Sequence, residues 1–213
     1  MNIIIFGPPG AGKGTQAQNI VNNFNLHQVS TGDLLRIEIK KKTEIGKKIE
    51  QIIAQGDLVS DDIVNELLKK VITNYNYRNR IIFDGYPRNI NQAESLEIML
   101  NGDNQSINFV LFLKVTQEII EKRILGRIIC EKCNKTMNKY FNKKEIDNHE
   151  CGKNYLKKRK EDDQETIIIR YEEYIKKTKP VLDFYSSRRY FHEIDGSEKI
   201  QAITGKIQQI LKV

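Results

Sequence analysis

No stretch of this 213-residue chain approaches the roughly 18 consecutive apolar residues that a membrane-crossing helix needs, so no part of it is expected to span a bilayer. No basic leader precedes the first apolar run, so a signal peptide is not expected either. Cysteine is scarce: three residues cannot pair evenly. Without an export signal a reducing cytoplasm is the expected setting, and metal ligation outranks a disulfide. There are only four prolines, no Pro-rich or Gly/Ser-rich linker and no internal repeat. These absences leave one domain of ordinary size with a substantial core, or one core carrying inserted flaps.

What is present is 39% hydrophobic and 30% charged, a mixture that fits a globular chain. The net charge of +7 is unevenly spread, because residues 122–160 hold thirteen Lys and Arg against four Asp and Glu. Such a segment suits nucleic acid or a highly charged small molecule, while many of its lysines also read as an ordinary solvated face. Short runs rich in Ile, Val or Phe at Asn2–Phe6, His27–Val29, Arg80–Phe83, Phe109–Leu113 and Tyr190–Ile194 read as buried parallel strands. Helical patterns lie between them. This alternation argues for a doubly wound α/β sheet, with ligands beyond the carboxyl ends of the strands. Residues 30–59 and 127 to about 160 stand outside the alternation, the second in short irregular runs that contain all three cysteines. Both are expected to be excursions from the core and candidates for lids.

The most informative stretch is Gly7-Pro-Pro-Gly10-Ala11-Gly12-Lys13-Gly14-Thr15. It follows the apolar run Ile3–Phe6 and precedes Ala17, Ile20, Val21 and Phe24, which share one helix face. Strand, glycine-rich turn and helix together make a phosphate cradle: backbone N–H groups point inward and the helix N-terminus adds partial positive charge. Lys13 can reach outer phosphates, and Thr15 can offer a hydroxyl to a metal ion. Asp84, at the end of a strand, can hold magnesium opposite Thr15; a capping aspartate before a turn is the plainer alternative. Arginines recur near strand ends and at the edges of the excursions: Arg36, Arg88, Arg123, Arg127, Arg159 and Arg170. Arg123 and Arg127, four apart, are expected to share a helix face. A guanidinium fork binds two phosphate oxygens at once, which is what phosphoryl transfer asks of a protein.

GPPGAGKGT, Ser30-Thr-Gly-Asp-Leu-Leu-Arg36, Asp84-Gly-Tyr-Pro-Arg88-Asn with Gln92, Gly126-Arg127, and Arg159…Asp162…Arg170 resemble the adenylate kinase family in its long-lid bacterial form, collinearly over nearly the whole chain. The resemblance implies a P-loop nucleoside monophosphate kinase fold: a parallel five-stranded sheet flanked by helices, with two mobile insertions. It implies a core of residues 1–29, 60–126 and 161–213, an AMP-binding flap at 30–59 and a lid at 127–160. The implied reaction moves the terminal phosphoryl group of ATP to AMP, with Mg²⁺, giving two ADP. By position, Gly10, Ala11, Gly12, Lys13, Gly14 and Thr15 wrap the ATP phosphates. Thr31, Arg36, Arg88 and Gln92 hold AMP, with Asp57, Leu58, Val59, Gly85, Tyr86 and Pro87 around it. Arg123 and Arg127 act on ATP from the lid hinge, and Arg159 and Arg170 compensate charge between the nucleotides, with Asp162 pairing to lock the closed lid. Thr136, Met137 and the loop to Glu198 contact ATP. Met137 stands where the lid often presents an aromatic, and Tyr86 where phenylalanine is usual.

Cys130-Glu-Lys-Cys133 has zinc-knuckle spacing and sits where the family's metal-binding lids begin. With Cys151 as third ligand the fourth position falls at Asn154, a poor ligand. With Cys151 as fourth, the third falls to His149 or Asp147. The short distance from Cys151 to Arg159 favours the second alignment, and Cys130, Cys133, His149 and Cys151 are expected to form a closed structural zinc site. The alternative is a lid without metal, its cysteines free thiols. The expected partners are small-molecule nucleotides, with no nucleic acid, no membrane and a monomeric chain. A UMP/CMP kinase would generally have a shorter lid. A basic zinc-bearing nucleic-acid module would need more interleaved aromatics than Tyr140, Phe141 and Tyr155. A GTPase would need Asn-Lys-x-Asp, which Asn134-Lys135-Thr136-Met137 only half matches.

Overall fold

A computed structural model describes residues 1–55, 57–159 and 161–212. β1 (Asn2–Phe6) runs through the Gly-rich loop into α1 (Lys13–Phe24), then β2 (His27–Ser30). Helices α2 (Thr31–Lys40), α3 (Glu44–Ala54) and α4 (Asp61–Ile72) follow, before β3 (Ile81–Asp84). α5 (Ile90–Gly102), β4 (Ile107–Lys114) and α6 (Gln117–Leu125) complete this part of the core. A small antiparallel sheet comes next: β5 (Arg127–Cys130), β6 (Thr136–Asn138), the short α7 (Lys143–Asp147) and β7 (Leu156–Lys157). The chain returns through α8 (Gln164–Glu173), α9 (Lys179–Ser186), β8 (Phe191–Asp195) and α10 (Ile200–Leu211).

The main sheet is parallel in the order β2-β3-β1-β4-β8, so the α/β fold with five parallel strands flanked by helices is as the sequence implied. β1 sits in the middle because its Ile-Ile-Ile-Phe run is apolar on both faces, and side chains alternate across a strand. Ile4 and Phe6 pack with Phe83, Leu96, Val181 and Tyr185 on one face. Ile3 and Ile5 pack with Ala17, Ile20, Ile203 and Ile207 on the other. Truncating one such isoleucine to alanine costs about 2–5 kcal/mol. β1 neighbours β3 on one side and β4 on the other, so the loops after β1 and β3 open into one crevice. The register sets Ile5 beside Asp84 there.

α2 and α3 pack against each other outside the sheet, and the packing needs a glycine: a Cβ on Gly46 would lie 2.5 Å from the Glu38 carbonyl oxygen. The segment after α6, expected to be irregular, is instead a three-stranded sheet in the order β6-β5-β7. Its strands have two to four residues, too few to show alternation. Arg123 and Arg127 do not share a helix face. Gly126 caps α6, and Arg127 opens β5 opposite Asn138. α8 continues into α9 through a π-helical turn, Tyr174–Thr178, with Pro180 in the first turn of α9. The Thr178 hydroxyl donates to the Arg88 carbonyl at 2.9 Å.

Candidate active site

The loop after β1 is shaped by backbone. Gly10 and Gly12 have left-handed φ of 78° and 96°, and Gly12 caps α1. A Cβ on Gly10 would lie 2.8 Å from the Ile124 side chain and 3.2 Å from the Ile120 carbonyl, so the loop lies directly against α6. α1 carries no acidic residue in its first turn, which leaves the positive end of its dipole uncompensated. The Lys13 ammonium is folded across the loop, donating to the Gly7 and Pro8 carbonyls at 2.8 and 3.0 Å. Burial brings its pKa down to about 8. Asp84 opposes that shift, while Arg88, Arg170 and Arg127 add to it.

Asp84 ends β3, is buried, and accepts from the Gln28 side chain at 2.9 Å. Burial raises its pKa, against the pull of Lys13. A Cβ on Gly14 would meet its carboxylate at 3.3 Å, so Asp84 faces the first turn of α1, where Thr15 lies half-buried. A carboxylate and a hydroxyl are the hard oxygen donors that Mg²⁺ prefers.

Cations converge on this crevice. Arg88 is half-buried and donates through Nε to the Gly85 carbonyl at 2.8 Å. Arg127 bonds Asp162 through both Nε and Nη2, and Arg170 Nη1 stands 3.8 Å from the same carboxylate. Asp162 is thus shared between Arg127 and Arg170, whereas the resemblance implied a pairing with Arg159 and Arg170. Arg159 Nε and Arg170 Nη1 are buried, with no hydrogen-bond partner among the described residues. Burial first, then neighbouring arginines, bring the pKa of Arg159 and of Arg170 down to about 10, and Glu161 and Asp162 only partly offset this. Buried donors without acceptors, in a cluster of like charge, form a site that a polyanion would satisfy. Arg36 is held by Asp33 at 2.6 Å, with Glu161 at 3.7 Å. Arg123 bonds the Ala11 and Gly196 carbonyls at 3.1 and 2.8 Å, strapping the Gly-rich loop to the loop after β8.

A second pocket lies beside the arginines, lined by Thr31, Leu35, Leu58, Val59, Val64, Gly85, Tyr86, Arg88 and Gln92. Pro87 is buried next to it, while Asp57 is exposed and outside the lining. The Thr31 hydroxyl donates to the Gly85 carbonyl at 2.9 Å. The Tyr86 hydroxyl, an addition over the usual phenylalanine, reaches Asn65 Oδ1 at 2.5 Å and lies 3.1 Å from the Gln92 carbonyl. Asp61 and Asn65 carry no signal in the sequence motifs, and Asn89, which ends the Asp84–Asn89 motif, had no role assigned there. Asn89 had a signal, because Asn-x-x-Gln before a helix marks a cap, and its side chain accepts from the Gln92 N–H at 2.8 Å. Asp61 lies in the first turn of α4, where an acid offsets the helix dipole, so its residue type alone points to no further role. Thr136 is exposed and Met137 is 2% exposed, both on β6, and the Glu198 carboxylate is paired with Lys206 at 2.7 Å.

In the small sheet, ligand atoms of Cys130, Cys133, His149 and Cys151 all lie within 4.8 Å of one another, with Cys133 Sγ and His149 Nε2 at 3.5 Å. His149 is in this group, whereas Asp147 is not and pairs with Lys153 at 2.9 Å. Burial alone would raise the Cys130 thiol, but the N–H groups of Cys133 and Lys132 and the His149 ring outweigh it and bring the pKa down to about 6. Burial and the neighbouring sulfurs push Cys151 up to about 11. Three sulfurs and one imidazole are a donor set that could hold zinc.

Comparison with known proteins agrees with this geometry. A family model described as adenylate kinase matches residues 5–190. An adenylate kinase of Pelagibacter ubique is 59% identical over 213 residues, covering the whole of both chains. Adenylate kinases of Erythrobacter litoralis and Rickettsia rickettsii are 40% and 38% identical, again over the whole of both chains. With a phosphate cradle, a cation cluster and a second pocket arranged around one crevice, and with matches of this extent, the chain belongs to the adenylate kinase family.

Proposed function

We propose that this protein reversibly transfers the terminal phosphoryl group of ATP to AMP, giving two ADP and balancing the adenine nucleotides. The observation that carries this reading is the pair of buried donors without a hydrogen bond, Arg159 Nε and Arg170 Nη1, within a cluster of like charge: Arg170 neighbours Lys13, Arg88 and Arg127, and Arg159 neighbours Arg36 and Arg127. Gly10 to Thr15 cradle the ATP phosphates, and Lys13 leaves the Gly7 and Pro8 carbonyls to follow the transferred group. Arg36 and Arg88 take the AMP phosphate, with Gln92 on the adenine edge and Thr31, Leu58, Val59, Gly85, Tyr86 and Pro87 around it. Arg123, Arg127, Arg159 and Arg170 spread the charge that develops in flight, and Asp162 holds two of them in line. The backbone of residues 136, 137 and 196–198 meets the ATP adenosine. No side chain needs to be a nucleophile, since an AMP phosphate oxygen attacks directly.

Thr15 and Asp84 would hold the Mg²⁺ that accompanies ATP and offsets phosphate charge. Cys130, Cys133, His149 and Cys151 would hold a structural zinc that ties β5 to the approach to β7. Residues 30–59 act as the AMP flap and 127–160 as the ATP lid on a core of 1–29, 60–126 and 161–213. Closure excludes water, which would otherwise accept the phosphoryl group. We read the protein as a cytoplasmic monomer acting on free nucleotides. A coupled assay of ADP formation from ATP with each nucleoside monophosphate tests the assignment. AMP should be the preferred acceptor, and no AMP-dependent ADP formation would remove it.

A further inference from the structure

Gln92 is 2% exposed, and both ends of its side-chain amide are engaged. Oε1 accepts from the Arg88 N–H at 2.7 Å, and Nε2 donates to Asp61 Oδ1 at 2.6 Å. A backbone N–H can only donate and a carboxylate can only accept, so the amide has one orientation. Asp61 is itself fixed. Asn89, whose oxygen is committed to the Gln92 N–H, turns its NH₂ to both Asp61 oxygens at 3.0 and 3.1 Å.

We infer that Asp61 is a positioning residue for acceptor specificity: by holding the Gln92 amide one way round, it makes the site select a 6-aminopurine nucleotide over a 6-oxopurine one. This rests on the reading of Gln92 as the adenine contact. The amide keeps one N–H and one oxygen lone pair for a base. A 6-aminopurine edge sets an N–H donor beside a ring-nitrogen acceptor, which complements the amide oxygen and N–H as bound. A 6-oxopurine edge sets an acceptor beside the N1–H donor and needs the amide turned over. Turned over, Gln92 would put its oxygen against the Asp61 carboxylate and its NH₂ against the Arg88 N–H. Both contacts would be repulsive and desolvated, so the wrong base is rejected through Asp61, which need not touch it.

Asp61→Asn tests this. Asparagine keeps the shape, still accepts from Asn89, and can donate to a turned Gln92 oxygen. Initial rates with ATP and either AMP or IMP give the ratio of kcat/KM for the two acceptors. In Asp61→Asn the AMP:IMP ratio is expected to fall about tenfold or more, through a higher KM for AMP and a lower one for IMP, with kcat for AMP within about twofold. Asp61→Ala removes the acceptor without supplying a donor, so it should raise the AMP KM yet recover less IMP activity. An unchanged AMP:IMP ratio in Asp61→Asn with a parental melting temperature overturns the inference. So does an Asp61→Ala that gains as much IMP activity as Asp61→Asn. Gln92→Ala separates the two layers of argument. If it raises the AMP KM while Asp61→Asn leaves the ratio untouched, only the role of Asp61 falls. If it leaves AMP use intact, Gln92 is not the base contact and the underlying reading falls with it.

Discussion

The two sides of the crevice are made of different materials. On the β1 side the cradle is backbone: two left-handed glycines, the open N-terminus of α1, and a lysine resting on carbonyls. On the β3 side it is side chain: guanidinium, amide and carboxylate groups, each fixed by a named partner. Backbone dipoles recognise a phosphate whatever is attached to it. Side chains pinned in one orientation can tell one base from another. The two segments outside the main sheet differ in the same way: α2 and α3 pack helix on helix through Gly46, whereas the small sheet gathers three sulfurs and an imidazole.

The largest expected effect comes from the group that belongs to neither side. Arg170→Ala should lower kcat by about 10³-fold or more, with smaller changes in either KM; turnover near the parent's would exclude it from the reaction. Gly10→Val should break the backbone side alone. Its Cβ would meet Ile124 and Ile120 at an unfavourable φ, a strain of about 1–3 kcal/mol, and kcat/KM for ATP should fall by up to about a hundredfold. An AMP KM that rose equally would erase the division between the two sides.

A pH profile separates the sides more finely. The folded protein releases the Lys13 proton near pH 8, whereas an ordinary lysine keeps it to 10.5. Because the folded pKa is depressed, Lys13 lowers stability where it is charged, and stability rises with pH between about 8 and 10.5. ATP capture moves the other way. kcat/KM for ATP should decline about tenfold per pH unit above 8, while kcat at saturating ATP stays level because the polyphosphate retains the proton. Parallel decline of both would place the ionisation elsewhere. The smallest effect should come from metal removal. Chelation should lower the melting temperature by a few degrees and raise the ATP KM a few-fold, leaving the AMP KM alone. A purified protein with no bound zinc would end that proposal.

The central strands were legible in the sequence because each is a continuous run of large apolar residues buried on both faces. The sequence reading His27–Val29 and the observed His27–Ser30 differ by one residue. The Gly-rich loop was legible because few contexts need so many glycines before Lys and Thr. Arg127 was misread because its spacing from Arg123 suits a helix, although Gly126 between them was the stop signal. β5, β6 and β7 were hidden by their shortness. Asp61 was hidden for a different reason: its role depends on which way a distant amide faces, and no local pattern records that.

The π-helical turn at Tyr174–Thr178 has a consequence of its own. One continuous rod carries Arg170 near one end and, through Thr178, grips the main chain of Arg88 further along. Removing a single residue from that wide turn would rewind it to ordinary α pitch and swing Arg170 by about 100° relative to Thr178. The guanidinium of Arg170 and the main chain of Arg88 are therefore spaced by residue count, as by notches on a gauge.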